Sequence, residues 1–331
     1  KSRSILSIDI YLLLSVLALT TIGILFVYSS GVTATGQIVS REYIRQIVWA
    51  GTGVILMMIV TFTDYRLLER VCFVIYGLAN GLLILTLAVG RVVNGARSWI
   101  GIGSLGVQPS EFAKLAVVLM LAHYFWVSPS RSKSPFGCLG GLAIAGFPLL
   151  LVLAQPDLGT AMVFIPLFLF IAFAAGAPVR YILFIVGTAG FALAFTVLPM
   201  WQAQVMNEPN GFFAAVYRQD VFQFLVGGLT IAFSLSLTGW LMTRQSLFLF
   251  LCYLFLMMLL GSLGGYAARQ VLRDYQIMRL VVFIDPYVDP QGAGWNIIQS
   301  ITAVGSGGPV GKGFLQGTQS HYQYLPQQST D

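Results

Sequence analysis

The chain has 331 residues, 57% of them hydrophobic and only 9% charged, with a mean hydropathy of +0.83. A soluble domain carries about 25% charged residues, so most of this chain lies in lipid. The net charge of +6 comes from Lys and Arg residues scattered between apolar runs, with no block or stripe. That pattern argues against a nucleic-acid partner and for membrane orientation and contact with anionic lipid.

A hydrocarbon core of about 30 Å takes roughly 20 apolar residues per helix. On that ruler spans fall near 8–30, 44–62, 71–90, 111–127, 137–154, 158–176, 180–199, 221–242 and 246–266. The predicted fold is an all-α polytopic membrane helix bundle of about nine spans. The first run is longer than a signal-peptide core and lacks a cleavage pattern, so it is read as a retained span. Cys72, Cys138 and Cys252 fall inside apolar stretches, away from CxxC spacing, and neither a disulfide nor a structural zinc is expected.

With Lys1 and Arg3 holding the N-terminus in the cytoplasm, the inside loops carry Arg66, Arg70, Arg131, Lys133, Arg180 and Arg244. The outer loops carry Arg41, Arg45, Arg91, Arg97 and Arg218. The bias is weak. Outer arginines are either interfacial snorkels or ligands for something anionic, and Arg97 is the best candidate for the second role.

Between the third and fourth spans runs a polar, glycine-rich stretch from Asn94 to Lys114. Within it, Gln108-Pro-Ser-Glu111 reads as a helix start, with Pro109 in the first turn, Ser110 as cap and Glu111 at the positive helix end. Glu111 and Lys114 are three apart and share a helix face. They either pair simply to enter the membrane or line a site. Asp157, in Gln155-Pro-Asp-Leu-Gly-Thr160, breaks two apolar runs on the same predicted outer side. An ionisable group at the centre of a membrane helix costs about 2.5 to 3.5 kcal/mol. Glu111, Lys114 and Asp157 are therefore expected to face one another or a water-filled cavity.

From 269 to 331 the chain turns polar and rich in Gly, Pro and Gln, yet keeps Trp295, Ile297, Ile298, Phe314, Tyr322 and Tyr324. An ordered extracytoplasmic loop is expected. It holds two Asp-Pro pairs, at Asp285 and Asp289, a pairing that is also common in ordinary turns. The run Gly305 to Gly313 is not a phosphate loop: Ser306 stands five before Gly311, and Gly313 follows Lys312 where Ser or Thr is required. His123 and His321 lack partners at metal-ligand spacing and are assigned no role.

Three runs, Asn94 to Lys114, Gln155 to Thr160, and Asp274-Tyr-Gln through Asp289-Pro-Gln-Gly-Ala-Gly-Trp-Asn-Ile-Ile-Gln-Ser300 to Leu325-Pro, occur in this order. Together they resemble the SEDS (shape, elongation, division and sporulation) proteins. The resemblance implies a multi-pass protein of the bacterial inner membrane that polymerises lipid II as a peptidoglycan glycosyltransferase. It also implies a class B penicillin-binding protein as partner and a catalytic loop on the periplasmic side. By motif position Asp289 is the catalytic aspartate, with Asp285 second. Glu111, Lys114 and Asp157 match a buried charged cluster, and Arg97, Trp99, Gln108 and Ser110 belong to the same segment. Arg279, Gln299 and Lys312 join them as substrate-binding candidates in the loop, the cations facing a departing pyrophosphate. No cofactor is called for with certainty; a divalent cation stays open, since hard cations want several oxygen ligands.

Two departures from the family pattern stand out. Residues 200–272 read as a two-helix insertion, which as an even number of crossings preserves the side of the 269–331 loop. The sequence stops at Thr330-Asp331 where relatives continue, so the family's C-terminal spans are expected to be absent from a single membrane domain over 1–331. Two rival readings remain at this point: a transporter of lipid-linked precursors using the polar cluster as a headgroup site, and a noncatalytic scaffold for a cell-wall synthase.

Overall fold

The computed structural model describes residues 9–33, 35–93, 95–102, 105–208, 211–318 and 324. Lys1, Arg3, Asn94, His321, Tyr322, Leu325, Thr330 and Asp331 lie outside the described residues. The chain divides into two compact units, one of Arg66–Ile277 and one joining Lys1–Tyr65 to Met278–Asp331.

Among the described residues eight helices are long and apolar enough to cross a membrane: α1 (Ile10–Ser30), α2 (Glu42–Phe62), α3 (Tyr65–Val89), α4 (Pro109–Val127), α6 (Pro135–Ala154), α8 (Val179–Gln204), α10 (Gln219–Thr243) and α11 (Ser246–Val271). A ninth apolar helix, α7 (Leu158–Ala174), has 17 residues, the lower limit for a span. Short helices α5 (Ser130–Lys133) and α9 (Phe212–Val216) connect longer ones. The helices extend past the predicted spans at several ends. The third begins at Tyr65 rather than 71, because Arg66, Glu69 and Arg70 are helical but invisible to a hydropathy window. Hydropathy reports what lies in lipid; backbone hydrogen bonding carries the helix on into the interface.

In the larger unit α4, α6 and α7 pack around Ala113, Ala116, Val117, Leu121, Val152, Phe164 and Phe168, all essentially inaccessible. In lipid, helices associate by close packing rather than by the hydrophobic effect, and small residues permit it. Gly141 on α6 illustrates this: a β-carbon there would come within 2.8 Å of Phe125 and 3.0 Å of Phe168. The same device joins α8 to α11, where Gly261 and Gly265 seat Phe191 and Phe195. Thr196 donates to the Gly265 carbonyl at 3.2 Å. Tyr217, between α9 and α10, donates to the Phe195 carbonyl at 2.7 Å, and burial pushes its phenol well above the ordinary tyrosine range, with the Arg269 guanidinium opposing.

The polar stretch before α4 is not an irregular loop. It forms a three-stranded antiparallel sheet, β1 (Arg91–Val93), β2 (Ala96–Ile102) and β3 (Leu105–Val107), in the order β1-β2-β3.

In the smaller unit Asp9 caps α1 by accepting from Tyr11 N and Leu12 N, and α1 packs on α2, with Tyr28 edge-on to Tyr43. The long polar segment contains more helix than its sequence suggests: α12 (Asp274–Ile284), a 3-10 turn (Pro286–Val288) and α13 (Trp295–Gly307). Leu315 N donates to Ser29 Oγ at 2.9 Å, tying this segment to the end of α1. Helix α12 buries Ile277 and Val281, four residues apart on one face, with Val282 beside them, a pattern too short to stand out in the sequence.

Candidate active site

Two polar sites emerge, one in each unit. In the larger unit the site is built where the sheet meets the break between α6 and α7. Pro109 takes the first helical position of α4, as its fixed φ favours, and this makes Gln108 the capping residue. Ser110 therefore does not cap. It lies one residue inside the helix, 1% exposed, and its Oγ has no hydrogen-bond partner among the described residues. The Gln108 side chain does not cap either. Its Nε2 reaches across to Asp157 Oδ2 at 2.9 Å and to Thr160 Oγ1 at 3.4 Å.

Asp157 caps α7: Oδ1 accepts from Thr160 N at 3.1 Å and Oδ2 from Thr160 Oγ1 at 2.9 Å. Glu111 and Lys114 pair at 2.8 Å, as their spacing predicts, with Lys114 23% exposed and Glu111 55%. Among the described residues no ion pair joins Asp157 to Glu111 or Lys114. Lys114 is matched one helical turn away by Glu111, and Asp157 is satisfied by neutral donors. The physical reason is local: capping α7 and pairing along α4 each satisfy a charge without a long-range partner.

Arg97 on β2 donates through Nη1 to the carbonyl of Leu87 at 3.2 Å, in the last turn of α3, where a cation meets the negative helix end. Its backbone N donates to the Gln155 carbonyl at 3.0 Å. Of its five guanidinium donors, this contact uses one. Trp99, half-buried on the same strand, lies against Gly106 of β3, where a β-carbon would come within 2.9 Å of the indole. Two residues that sequence reasoning did not single out hold this corner together. Gln155, 1% exposed, donates from Nε2 to the Leu83 carbonyl at 3.0 Å. Gln276, 4% exposed, donates to the Pro156 carbonyl at 3.3 Å and accepts from Arg273 N. Their signal was an amide in an otherwise apolar or helical stretch, and it names no partner.

The smaller unit holds Asp289. Its carboxylate accepts from Gly292 N at 3.1 Å and Ala293 N at 2.8 Å, while its carbonyl accepts from Gly294 N at 2.9 Å. Asp285 caps the preceding 3-10 turn, accepting from Tyr287 N at 3.0 Å. The glycines are sterically required. A β-carbon on Gly292 would run into the Asp289 carboxylate, and one on Gly294 into the Pro286 carbonyl. The turn leads into α13, where Trp295 Nε1 donates to the Tyr324 carbonyl at 3.2 Å and Gln299 lies half-buried one turn on. Arg279 is exposed on α12, and Lys312, also exposed, donates to Thr318 Oγ1 at 2.8 Å.

Among the described residues no three His, Cys, Asp or Glu side chains gather as a metal-ligand group. His123 Nδ1 stands 3.8 Å from Glu69 Oε1.

The eight long apolar helices, with a polar break inside the bundle and a carboxylate-bearing turn in the segment after it, define a multi-pass membrane protein. The chain belongs to the cell cycle protein family of FtsW, RodA and SpoVE, whose model matches residues 10–207 and 218–331. It is 43% identical to the peptidoglycan glycosyltransferase RodA of Treponema pallidum (strain Nichols), a match covering 100% of this chain and 76% of that protein. To the peptidoglycan glycosyltransferase MrdB of Escherichia coli (strain K12) it is 30% identical over 98% of this chain and 67% of the relative. The crystal structure of the Thermus thermophilus rod shape determining protein RodA is 26% identical, covers 85% of this chain and 87% of its own, and superposes with a TM-score of 0.49.

Proposed function

We propose that the chain is a peptidoglycan glycosyltransferase that polymerises lipid II during cell elongation, with Asp289 as general base. The observation that carries this is the full-length similarity to a protein of that activity, 43% identical from end to end of this chain. The geometry of the Asp289 turn supports the role. A carboxylate offers about four lone-pair sites, and two backbone N–H groups from its own turn fix the group in place. The remaining sites can take the proton of an acceptor sugar hydroxyl.

In the step proposed, the acceptor oxygen gives its proton to Asp289 and attacks the anomeric carbon of the lipid-linked donor. The bond from that carbon to the pyrophosphate breaks, and the pyrophosphate leaves with the electron pair. A positioned base contributes about 10²- to 10⁴-fold. The leaving group needs cations more than it needs a proton, so a paired acid of the glycosidase type is not required. Lys114, Arg97, Arg279 and Lys312 are the candidates to supply that charge, and a divalent cation is a further one. Gln108, Ser110, Trp99, Gln299, Glu111 and Asp157 are read as lining or supporting the substrate path.

Chain parity supports the placement of the loop. The starts of α3, α6, α8 and α11, with the turns before them, carry Arg66, Arg70, Arg131, Lys133, Arg180 and Arg244 against Asp64 and Glu69. Their excess over Arg41, Arg45, Arg91, Arg97 and Arg218 of the other loops is small, and on that excess this face is read as cytoplasmic. The opposite face carries Gln108 and Asp157, and the chain leaves α11 there, so the segment from 269 is read as extracytoplasmic, on the periplasmic side of the inner membrane. Residues 200–272 are read as an added helix pair. The working partner is proposed to be a class B penicillin-binding protein.

The test is to incubate the purified protein with lipid II, with and without such a partner, and to resolve glycan polymer on a gel. Polymer from the wild type and none from Asp289→Asn is expected. Polymer made by Asp289→Ala would remove Asp289 from the mechanism. Movement of lipid-linked precursor across vesicles without polymer would replace the synthase with a transporter.

A further inference from the structure

The larger unit contains an apolar groove of about 530 Å³ that the glycosyltransferase reading does not use. Its walls come from α6 (Leu139, Leu142), α8 (Phe184, Ala189) and α11 (Tyr253, Gly264), with α7 contributing Ile165. The lining along α8 runs from Tyr181 to Ala192, about 16 Å at 1.5 Å per residue. That is half of a hydrocarbon core of about 30 Å, the depth of one leaflet. The small residues Ala189, Ala192 and Gly264 keep the groove from being filled by the protein itself.

One end of the groove is basic. Its lining there begins at Pro135 and Tyr181, the first turns of α6 and α8. Lys133 stands two residues before Pro135 and Arg180 next to Tyr181. The two connecting segments, 128–135 and 175–181, contain no Asp or Glu. Arg131 is already engaged, donating to the Tyr124 carbonyl at 2.9 Å and lying 4.5 Å over the Tyr124 ring. Lys133 is exposed, its side chain in no hydrogen bond or ion pair among the described residues, and Arg180 is exposed with its guanidinium 5.1 Å from the Tyr181 ring centroid and 3.4 Å from its hydroxyl. Arg180 is thus held at the groove mouth by a residue of the groove wall.

We infer that this groove holds one acyl chain of an anionic phospholipid whose phosphate is bound by Lys133 and Arg180. Shape and charge divide the work. An acyl chain gains little by leaving lipid for an apolar groove, because both surroundings are equally dry. The groove therefore fixes position, and selection falls to the headgroup. A basic residue near a membrane surface attracts anionic lipid, and two acting together give roughly thirtyfold preference over a zwitterionic lipid with the same chains. The one-leaflet depth fits a diacyl lipid rather than a long polyprenyl chain. Because α11 forms one wall, a bound lipid also joins residues 200–272 to the α6–α8 bundle. This inference does not depend on the activity proposed above.

Native mass spectrometry of the full chain with equal amounts of phosphatidylglycerol and phosphatidylcholine of identical chains tests it. The wild type should retain phosphatidylglycerol about thirtyfold over phosphatidylcholine, and the double variant Lys133→Gln/Arg180→Gln should retain both equally. Ala189→Phe, which fills the groove, should lose both lipids. In parallel, a photo-crosslinking amino acid at Leu139 should capture phosphatidylglycerol, in vesicles mixing the two lipids, well above its share. This second measurement decides the matter if Ala189→Phe fails to fold. Equal retention by the wild type, a preference that survives removal of both cations, or displacement of phosphatidylglycerol by polyprenyl phosphate at equal concentration would overturn the proposal.

Discussion

Asp157 and Asp289 both cap a turn by accepting backbone N–H groups, yet they are held in opposite ways. The partners of Asp289 are Gly292 and Ala293, within four residues of it. Asp157 takes two bonds from Thr160, through its backbone N and its hydroxyl, and a third from Gln108, 49 residues away on a different element. A carboxylate fixed by its own turn keeps its geometry when neighbouring helices shift, which suits a group that must meet a moving substrate. A carboxylate that ties β3 and α4 to α7 instead transmits any disturbance to the packing around it. On this comparison the Asp289 turn should be sensitive in activity and tolerant in stability, and the Asp157 corner the reverse.

The largest effect should come from the local turn. Asp289→Asn is expected to lower polymerisation by about 10²-fold or more, read as glycan polymer from lipid II, with helicity and thermal midpoint unchanged. Gly292→Ala leaves the aspartate in place but drives a methyl group into its carboxylate, and should reduce polymer comparably. Full activity in Gly292→Ala would show that the turn does not position the base.

Next comes Lys114, whose role in the comparison is intermediate. Lys114→Ala should cost about 10²-fold in polymerisation if it meets developing phosphate charge. Its pair with the half-exposed Glu111 contributes no more than about 1 kcal/mol to stability. Equal loss of activity in Glu111→Gln would point to the pair as a structural unit rather than to Lys114 alone.

At the Asp157 corner the readout shifts to stability. Asp157→Ala removes the cap of α7, worth about 1 kcal/mol, and leaves Gln108 Nε2 without its shorter acceptor, which adds about 1 kcal/mol or more. Thermal unfolding in detergent should show the drop. Gln155→Leu removes the bond to Leu83 and should cost about 1 kcal/mol by the same assay. The smallest effect belongs to the exposed pair of Arg218 and Asp220 at 3.5 Å: Arg218→Ala should change stability by less than about 1 kcal/mol. A larger loss there than at Asp157 would remove the distinction drawn between local and long-range contacts.

The sequence by itself determined the membrane setting, the order of the apolar helices and the pairing of Glu111 with Lys114. Each depends on composition or on a spacing of a few residues, and hydropathy and the helical repeat are local quantities. The positions of Asp157 and Asp289 were legible for the same reason, since Pro and Gly mark breaks wherever they stand. The tertiary structure alone decided that Gln108 reaches Asp157, that Arg97 closes the end of α3, that Ser110 is buried without capping, and that Gln155 and Gln276 brace the corner. It also turned a glycine-rich run into a sheet and opened an apolar groove beside Lys133 and Arg180. These outcomes depend on which segments meet across tens of residues, and a hydrogen-bond donor such as a glutamine amide carries no mark in the chain of the acceptor that folding will bring to it.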